Sequence, residues 1–94
     1  MVRATWNGTV VAESGTTIVV EGNHYFPPDS VDGARLLDSP TRTWCYWKGK
    51  AHYYNLDDGD RIVRDAAWCY PKPWPLARRI RGYVAFAPGV RIEG

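Results

Sequence analysis

The chain has 94 residues, 23% of them charged, and a formal net charge of +2 at pH 7. This length fits one domain over residues 1–94, and so small a positive charge does not by itself predict nucleic-acid binding. No apolar run approaches the roughly 20 residues that span a bilayer. No apolar stretch of about 7–15 residues follows Met1, as a signal peptide would require. The sequence therefore predicts a cytoplasmic protein that does not bind membranes.

The first part of the chain is typical of antiparallel β-structure. Two runs rich in β-branched residues, Thr9–Glu13 and Thr16–Glu21, flank Ser14-Gly15, which predicts a two-residue hairpin. Asn7-Gly8 is a second turn signal, and it predicts a bend or bulge after a short initial strand. The first two regular strands are therefore expected to pair across Ser14-Gly15.

A short helix is expected next, after a turn at Gly22-Asn23. Pro27 and Pro28 stop further strand pairing because proline has no amide hydrogen to donate. Pro28 is also suited to the first turn of a helix, which the apolar residues extend over 29–37. Gly33 weakens this helix, since glycine is a poor helix former.

Two hairpins are predicted in the middle of the chain. Residues 42–47 and 50–56 alternate around Lys48-Gly49, and the DDGD run at 57–60 turns the chain into the strand RIVRDAAW. If Lys48-Gly49 is a two-residue turn, Cys45 lies beside His52 on one face of the sheet.

The last part of the chain predicts an extended segment, a helix and a closing strand. Three prolines in CYPKPWP favour an extended path, and LARRIR (76–81), capped by Gly82, predicts a helix with Leu76, Ala77 and Ile80 inward. A final strand is expected over 83–86. The whole pattern predicts seven or eight strands and two short helices, and thus a mainly β or α+β fold with antiparallel sheets.

The cysteines and histidines allow several interpretations. Cys45 and Cys69 form no CxxC pair and are expected to be free thiols in a reducing compartment. Cys45 with His52 could form a thiolate–imidazole pair, but a buried, inert cysteine is favoured. His24, Cys45, His52 and Cys69 are too scattered for the paired ligands of a zinc site, so no metal or other cofactor is predicted.

A basic group near the C-terminus could contact a nucleic-acid backbone while Trp74 stacks on a base. The group consists of Lys72, Arg78, Arg79 and Arg81. We favour the alternative, a solvated face of a short helix, and nucleic acid is therefore not an expected partner. The DDGD run lacks the alternating ligands of a calcium loop and is interpreted as a hairpin turn.

Five segments resemble a family of small bacterial proteins, the domain of unknown function 427 family. They are WNGTVVAES (6–14), VVEGNHYFPP (19–28), CYWKGKAHYY (45–54), DAAWCYPKP (65–73) and GYVAFAPGV (82–90). The chain departs from the family pattern at Tyr46, where members often have proline, and at Cys69, where many have tyrosine. The second departure makes a functional role for Cys69 doubtful.

The resemblance implies a β-tent-like fold, in which two antiparallel sheets meet at an angle. The family is sometimes labelled nucleotidyltransferase-like, but the chain has no Gly-Ser followed by an Asp-x-Asp pair that could hold two metal ions. The family motifs fall on Glu13, Glu21, Asn23, Tyr25, Pro27, Cys45, Trp47, Lys48, Gly49, Trp68, Tyr70 and Pro71. Many of these positions place a polar group beside an aromatic ring.

This combination predicts a pocket for a small polar or aromatic-bearing molecule. Rings with a few convergent polar groups are typical of small-ligand sites, and Glu21, at the end of an apolar strand, needs a partner such as Lys48. The expected walls are Trp47, Trp68 and Tyr25, and the expected polar groups are Lys48, Glu21 and Asn23, with Tyr70 nearby. The alternative is that these rings are simply core, with their polar atoms bonded internally.

Two further functions stay open from the sequence. The first is a small enzyme in which Glu21 or His24 is the acid or base and Lys48 stabilises an anion. The second is a protein-interaction module that uses Trp44, Trp74 and the proline-rich stretch. A homodimer formed through exposed edge strands is a modest version of the second.

Overall fold

The computed structural model describes residues 1–94 and contains nine β-strands and three short 3₁₀ helices. The strands are β1 (Val2–Trp6), β2 (Thr9–Ser14), β3 (Ile18–Val20), β4 (Asn23–Tyr25), β5 (Leu36–Cys45), β6 (Gly49–Asp57), β7 (Ile62–Cys69), β8 (Val84–Phe86) and β9 (Arg91–Glu93). The 3₁₀ helices are Pro28–Ser30, Gly33–Arg35 and Pro75–Ile80. The mainly β fold is confirmed. No helix is long and apolar enough to cross a membrane.

The strands form three antiparallel sheets. Their orders are β2-β1-β9, β3-β4 and β5-β6-β7-β8. The β3–β4 hairpin lies against the edge of the four-stranded sheet, since Phe26 and Val84 exchange backbone hydrogen bonds of 2.8 and 2.9 Å. Antiparallel sheets, as predicted, are confirmed, and β9 is a strand that the sequence pattern did not indicate.

The four-stranded sheet is covered on both faces, and each face has its own apolar cluster. Successive side chains on a strand point to opposite faces, so Tyr25 and Phe26, both fully buried, lie in different clusters. The first cluster is Ala4, Val11, Ala12, Phe26, Leu56, Ala66, Ala67, Cys69, Val84, Phe86 and Val90. The second is Val20, Tyr25, Ala51, Tyr70, Ala77, Ile80 and Ala85. The first sheet covers one face, and the β3–β4 hairpin with the third 3₁₀ helix covers the other.

The hairpin predicted at Ser14-Gly15 is wrong. Strand β2 pairs with β1 instead, and Asn7-Gly8 forms the two-residue turn between Trp6 and Thr9. Its backbone φ values are 52° and 80°, which suit a type I′ turn and the right-handed twist of the strands. The Asn-Gly signal therefore decided the pairing, not the β-branched runs.

The helix predicted over 29–37 is also wrong. The segment breaks at Val31 into two single-turn 3₁₀ helices, and the Asp32 side chain accepts a hydrogen bond from the Ala34 amide at 3.2 Å. Leu36 then begins β5, where it pairs with the fully buried Leu56. Burial in the sheet outweighs a weak helical tendency.

The second predicted helix, LARRIR, is a 3₁₀ helix over Pro75–Ile80. Ala77 and Ile80 are buried as expected, but the prediction for Leu76 is wrong, since 84% of it is exposed. With three residues per turn, only positions three apart share a face, so Ala77 and Ile80 face the core and Leu76 does not.

The register predicted for the β5–β6 hairpin is wrong by three residues. Cys45 pairs with Gly49, so the loop has three residues, 46–48, and Gly49 has a φ of 106°. Three-residue loops commonly place a glycine with positive φ at this point. His52 consequently lies opposite Arg42 and Cys69, and no Cys45–His52 pair exists in the ladder. The hairpin turn at 57–60 is confirmed.

Asp65 bends the four-stranded sheet where two register shifts occur. It is one of three residues other than glycine with positive φ, here 52°. Its carboxylate accepts hydrogen bonds from Ser39 at 2.6 Å and Thr41 at 2.8 Å, and its amide donates to Asn55 at 2.9 Å. The Asn55 side chain thus satisfies a backbone amide where the ladder is interrupted, and the two hydroxyls connect the Asp65 carboxylate to β5.

Gly8→Ala should destabilise the protein by about 1–2 kcal/mol, the cost of a side chain in left-handed backbone. No atom lies within 4 Å of the added Cβ, so the cost is conformational only. Gly33→Ala is the matched control: it also meets nothing within 4 Å but has no positive φ. It should be neutral or stabilise by roughly 0.4–1 kcal/mol. Urea unfolding measures both, and equal effects would contradict the assigned turn.

Candidate ligand-binding site

Lys48 is a buried ammonium enclosed by two rings and a carboxylate. Its side chain is 7% exposed and forms an ion pair with Glu21. The Lys48 Nζ atom lies 5.3 Å from the centre of the Trp47 ring and 5.5 Å from that of Tyr70, within the range of cation–π attraction. The Lys48–Glu21 pair proposed from the sequence is confirmed.

Two turns bring this pair together. Glu21 lies in the two-residue turn of the β3–β4 hairpin, with a φ of 54°, and Lys48 lies in the three-residue turn of the β5–β6 hairpin. The Trp47 Nε1 atom also donates to the Glu21 carboxylate at 3.4 Å. The carboxylate therefore joins the tips of two hairpins that are distant in sequence.

The pair is charged at neutral pH. The hydrogen bond from Lys48 holds the pKa of Glu21 below its ordinary value. Burial disfavours the Lys48 ammonium, but the bond to Glu21 and nearby Tyr25 and Tyr70 leave its pKa above the ordinary value. An acid or base that works near neutral pH needs a carboxyl pKa raised above its ordinary value, so this geometry does not favour Glu21 in that role.

The other predicted site residues are packed around this pair. Trp68 donates from Nε1 to the Tyr25 hydroxyl at 3.2 Å, and its ring lies 6.1 Å from that of Tyr53. Burial raises the pKa of Tyr70 to about 12. No buried side-chain polar atom lacks a hydrogen-bond partner. Trp47, Trp68 and Tyr25 thus use their polar atoms in hydrogen bonds within a ring-rich layer on one face of the sheet.

Asn23 and His24 lie on the short strand β4. Asn23 pairs with Val20 beside the Glu21 turn. The His24 Nδ1 atom and the Thr17 hydroxyl form a 2.8 Å hydrogen bond, so the imidazole is bonded away from the Lys48–Glu21 pair. No group of three or more His, Cys, Asp or Glu side chains is placed to hold a metal ion. Both cysteines are free, and Cys69 is buried whereas Cys45 is only partly so.

Neither of the two cavities in the structure is lined by Glu21, Trp47, Lys48 or Trp68. The larger, of about 320 Å³, is an open cleft that we call the tryptophan cleft. Its lining residues are Trp44, Lys50, His52, Pro71, Lys72 and Trp74. The smaller, of about 220 Å³, has no charged lining residue. Ligand contact by the residues predicted from the sequence therefore stays a prediction.

Two adjacent strands and one irregular segment build the tryptophan cleft. Trp44 on β5 lies directly opposite Lys50 on β6, and His52 follows two positions along, on the same face. The segment after β7 brings Trp74, whose ring centre lies 6.4 Å from that of Trp44 with 36° between the planes. The cleft is therefore on the face of the sheet opposite to Tyr53 and Trp68.

The turn that carries Lys48 also holds one wall of the cleft in place. The Trp74 amide donates to the Lys48 carbonyl at 3.0 Å. A Cβ at Gly49 would lie 3.5 Å from the Trp74 ring and 3.6 Å from the Lys72 carbonyl, so the turn and this segment are in close contact. The Lys48–Glu21 pair and the cleft are thus connected through this turn, although they lie on opposite faces of the four-stranded sheet.

The cleft is lined by two lysines and an imidazole. The Lys50 Nζ atom lies 5.5 Å from the centre of the Trp44 ring. Partial burial, together with Arg42 and Lys50, lowers the pKa of His52. No carboxylate lines the cleft. Such a site can offer two ammonium donors, an imidazole and two indole faces to a ligand.

The sequence indicated parts of this cleft but not the cleft itself. Trp44 and Trp74 were expected in an exposed patch, and Lys72 and Trp74 in a basic group. Lys50 and His52 were placed with other neighbours because the predicted register was three residues out. A three-residue loop at 46–48 in the hairpin prediction would have placed Trp44 opposite Lys50.

A protein-family model described as a domain of unknown function (DUF427) matches residues 1–93, nearly the whole chain. No curated protein matches the chain. The family match agrees with the resemblance of the five sequence segments. Its description assigns no ligand and no activity.

Glu21→Gln should destabilise the protein more than Lys48→Met does, because it leaves a buried ammonium without its counter-charge. Lys48→Met retains an apolar side chain of similar length, and the double variant should recover part of the loss caused by Glu21→Gln. Urea unfolding of the four proteins measures this coupling. Additive effects would contradict the assigned pair.

The same pair predicts how stability depends on pH. The pKa of Glu21 is lowered by folding, so its contribution is present above the ordinary value of 4.5 and is lost as the pH falls through the lowered value. The pKa of Lys48 is raised, so its contribution is lost only as the pH rises above 10.5. Unfolding from about pH 3 to about pH 7 should show a weaker acid dependence in Glu21→Gln.

Proposed function

The chain belongs to the domain of unknown function 427 family, and we propose that it binds a small molecule with a planar ring in the tryptophan cleft. The observation that carries the proposal is the pair of exposed indoles, Trp44 and Trp74, that line one cleft together with two lysines. Apolar and aromatic walls with a few polar groups are characteristic of small-ligand sites.

The spacing of the indoles supports ring binding. Ring atoms in contact lie roughly 3.5–4.0 Å apart, so a ring stacked between two others needs about 7 Å between them. The centres of Trp44 and Trp74 are 6.4 Å apart with 36° between their planes, which is the distance of two rings in contact. A flat ligand would therefore stack on the exposed surface of these indoles, or between them once they separate.

The exposure of the two indoles supports the same proposal. Trp44 is 68% exposed and Trp74 43%, so neither contributes to the core as fully as its size would allow. A ligand ring would cover this apolar surface, and removing it from water is favourable. A volume of about 320 Å³ is at the lower end of the range for ligand sites.

In this proposal the residues predicted from the sequence support the site. Lys48 and Glu21, enclosed by Trp47 and Tyr70, fix the turn whose carbonyl binds the Trp74 amide. Asn23, Tyr25 and Trp68 belong to the layer that packs around the pair. Loss of the pair should therefore move Trp74 without removing any group that lines the cleft.

A second candidate, a protein-interaction surface, is favoured by other exposed side chains. Tyr46 is 90% exposed and Leu76 84%. A partner that covers them would bind without a small ligand, and a second copy of the chain is the simplest such partner. Sedimentation that shows a monomer at all concentrations would count against a homodimer.

Trp44→Ala and Trp74→Ala should each weaken ligand binding by at least about tenfold, since stacking on an aromatic side chain contributes roughly 1–3 kcal/mol. Tyr46→Ala is the control, because this exposed ring does not line the cleft. Tryptophan fluorescence and calorimetry with phenol, benzoate and phenyl phosphate as probes measure the effect. The proposal fails if none of these or larger ring compounds binds, or if all three variants bind equally.

A further inference from the structure

We infer that the ligand of the tryptophan cleft carries a phosphate-type dianion beside its ring. The inference rests on the proposed function and adds the chemical class of the ligand. Its basis is that the lysines of this chain differ in whether a carboxylate pairs with them. The three lysines are Lys48, Lys50 and Lys72, and only Lys48 is neutralised by a carboxylate.

The other two lysines line the cleft without an ion-pair partner. No Asp or Glu lies within ion-pair distance of Lys50 or Lys72. The two come from different parts of the fold, β6 and the segment after β7, and converge on one cleft. Two ammoniums without a nearby acid create a local charge that an anion of the same magnitude would balance.

The number and kind of donors favour phosphate over carboxylate. Lys50, Lys72 and His52 provide donors from three separate side chains, and a phosphate monoester offers three acceptor oxygens with a charge of about −1.5 to −2. A carboxylate is planar and is best matched by the two-pronged guanidinium of arginine. No arginine lines the cleft.

One arginine, Arg42, lies near the cleft, but its guanidinium is hydrogen-bonded to other groups. Arg42 lies opposite His52 in the β5–β6 ladder. Its guanidinium donates to the backbone carbonyls of Ser39 and Thr41, both at 2.8 Å. It therefore adds positive potential beside the cleft without lining it, and the nearby Asp38 carboxylate offsets part of this effect at His52.

Different residues of the cleft would contact the ring and the anion of the ligand. The Lys50 ammonium lies beside the Trp44 ring, 5.5 Å from its centre, so an anion bound to it would be adjacent to a stacked ring. Free inorganic phosphate would lose the stacking contribution, and a neutral ring compound would lose the charged contacts. A small aryl phosphate or a mononucleotide combines both.

The test compares three ring compounds that differ only in their charged group: phenyl phosphate, benzoate and phenol. Calorimetry on the full chain should give the tightest binding for phenyl phosphate and the weakest for phenol, with about tenfold or more between these two, because hydrogen bonds to charged groups are strong. Added salt should weaken phenyl phosphate binding and leave phenol binding unchanged. Inorganic phosphate alone should bind more weakly than phenyl phosphate.

Lys50→Gln and Lys72→Gln should each reduce phenyl phosphate affinity by several-fold to tenfold and leave phenol affinity unchanged. Arg91→Gln is the matched control: it removes one charge from β9, which belongs to the other sheet. Circular dichroism checks that the variants fold, which is expected because Lys50 and Lys72 are exposed.

The two proposals fail in different ways. Equal binding of phenol and phenyl phosphate, with silent lysine variants, would overturn the phosphate inference and leave ring binding intact. Binding of none of the ring compounds would overturn the proposed function itself. Much tighter binding of a single-stranded oligonucleotide than of any mononucleotide would overturn a small-molecule ligand in favour of a polymer.

Discussion

The burial of one ammonium organises this small protein. Burial disfavours the charge of Lys48, and the half-exposed carboxylate of Glu21 provides its counter-charge from a different hairpin. The requirement holds two hairpin tips together and fixes the turn to which Trp74 is bonded. A chain of 94 residues buries a limited core, so a single such contact has a large effect on how its segments are arranged.

The aromatic residues divide their roles between the two faces of the four-stranded sheet. On one face, Trp68 donates to the Tyr25 hydroxyl, the Tyr53 hydroxyl bonds to Thr43, and the rings of Tyr53 and Trp68 pack together, as in a core whose rings carry hydrogen-bond donors. On the other face, Trp44 and Trp74 leave their rings open to solvent beside two ammoniums. The alternation of side chains along β5, β6 and β7 produces this division for Trp44, Tyr53 and Trp68, and β4 and the segment after β7 add Tyr25 and Trp74.

The sequence predicted the mainly β fold, the turn at 57–60 and the Lys48–Glu21 pair, because each depends on local signals or on a single strong electrostatic requirement. It did not predict the tryptophan cleft. Trp44 and Trp74 are 30 positions apart, and their approach depends on a loop of three residues where two were expected. A change of one residue in a hairpin loop alters which groups are neighbours. Likewise, the β-branched runs on both sides of Ser14-Gly15 indicated a hairpin there. The backbone geometry of Asn7-Gly8 formed the hairpin at 7–8 instead.

Asp65 restricts how this fold can vary. Its position requires a backbone conformation that few residues adopt readily and, at the same time, two acceptor oxygens for Ser39 and Thr41. Glycine would satisfy only the first requirement and glutamate only the second, while asparagine would exchange one acceptor for a donor. Homologous chains with the same bend should therefore retain aspartate here, or change it together with both hydroxyl residues. The three side chains are thus coupled by hydrogen bonds although 24 and 26 positions separate the hydroxyl residues from Asp65.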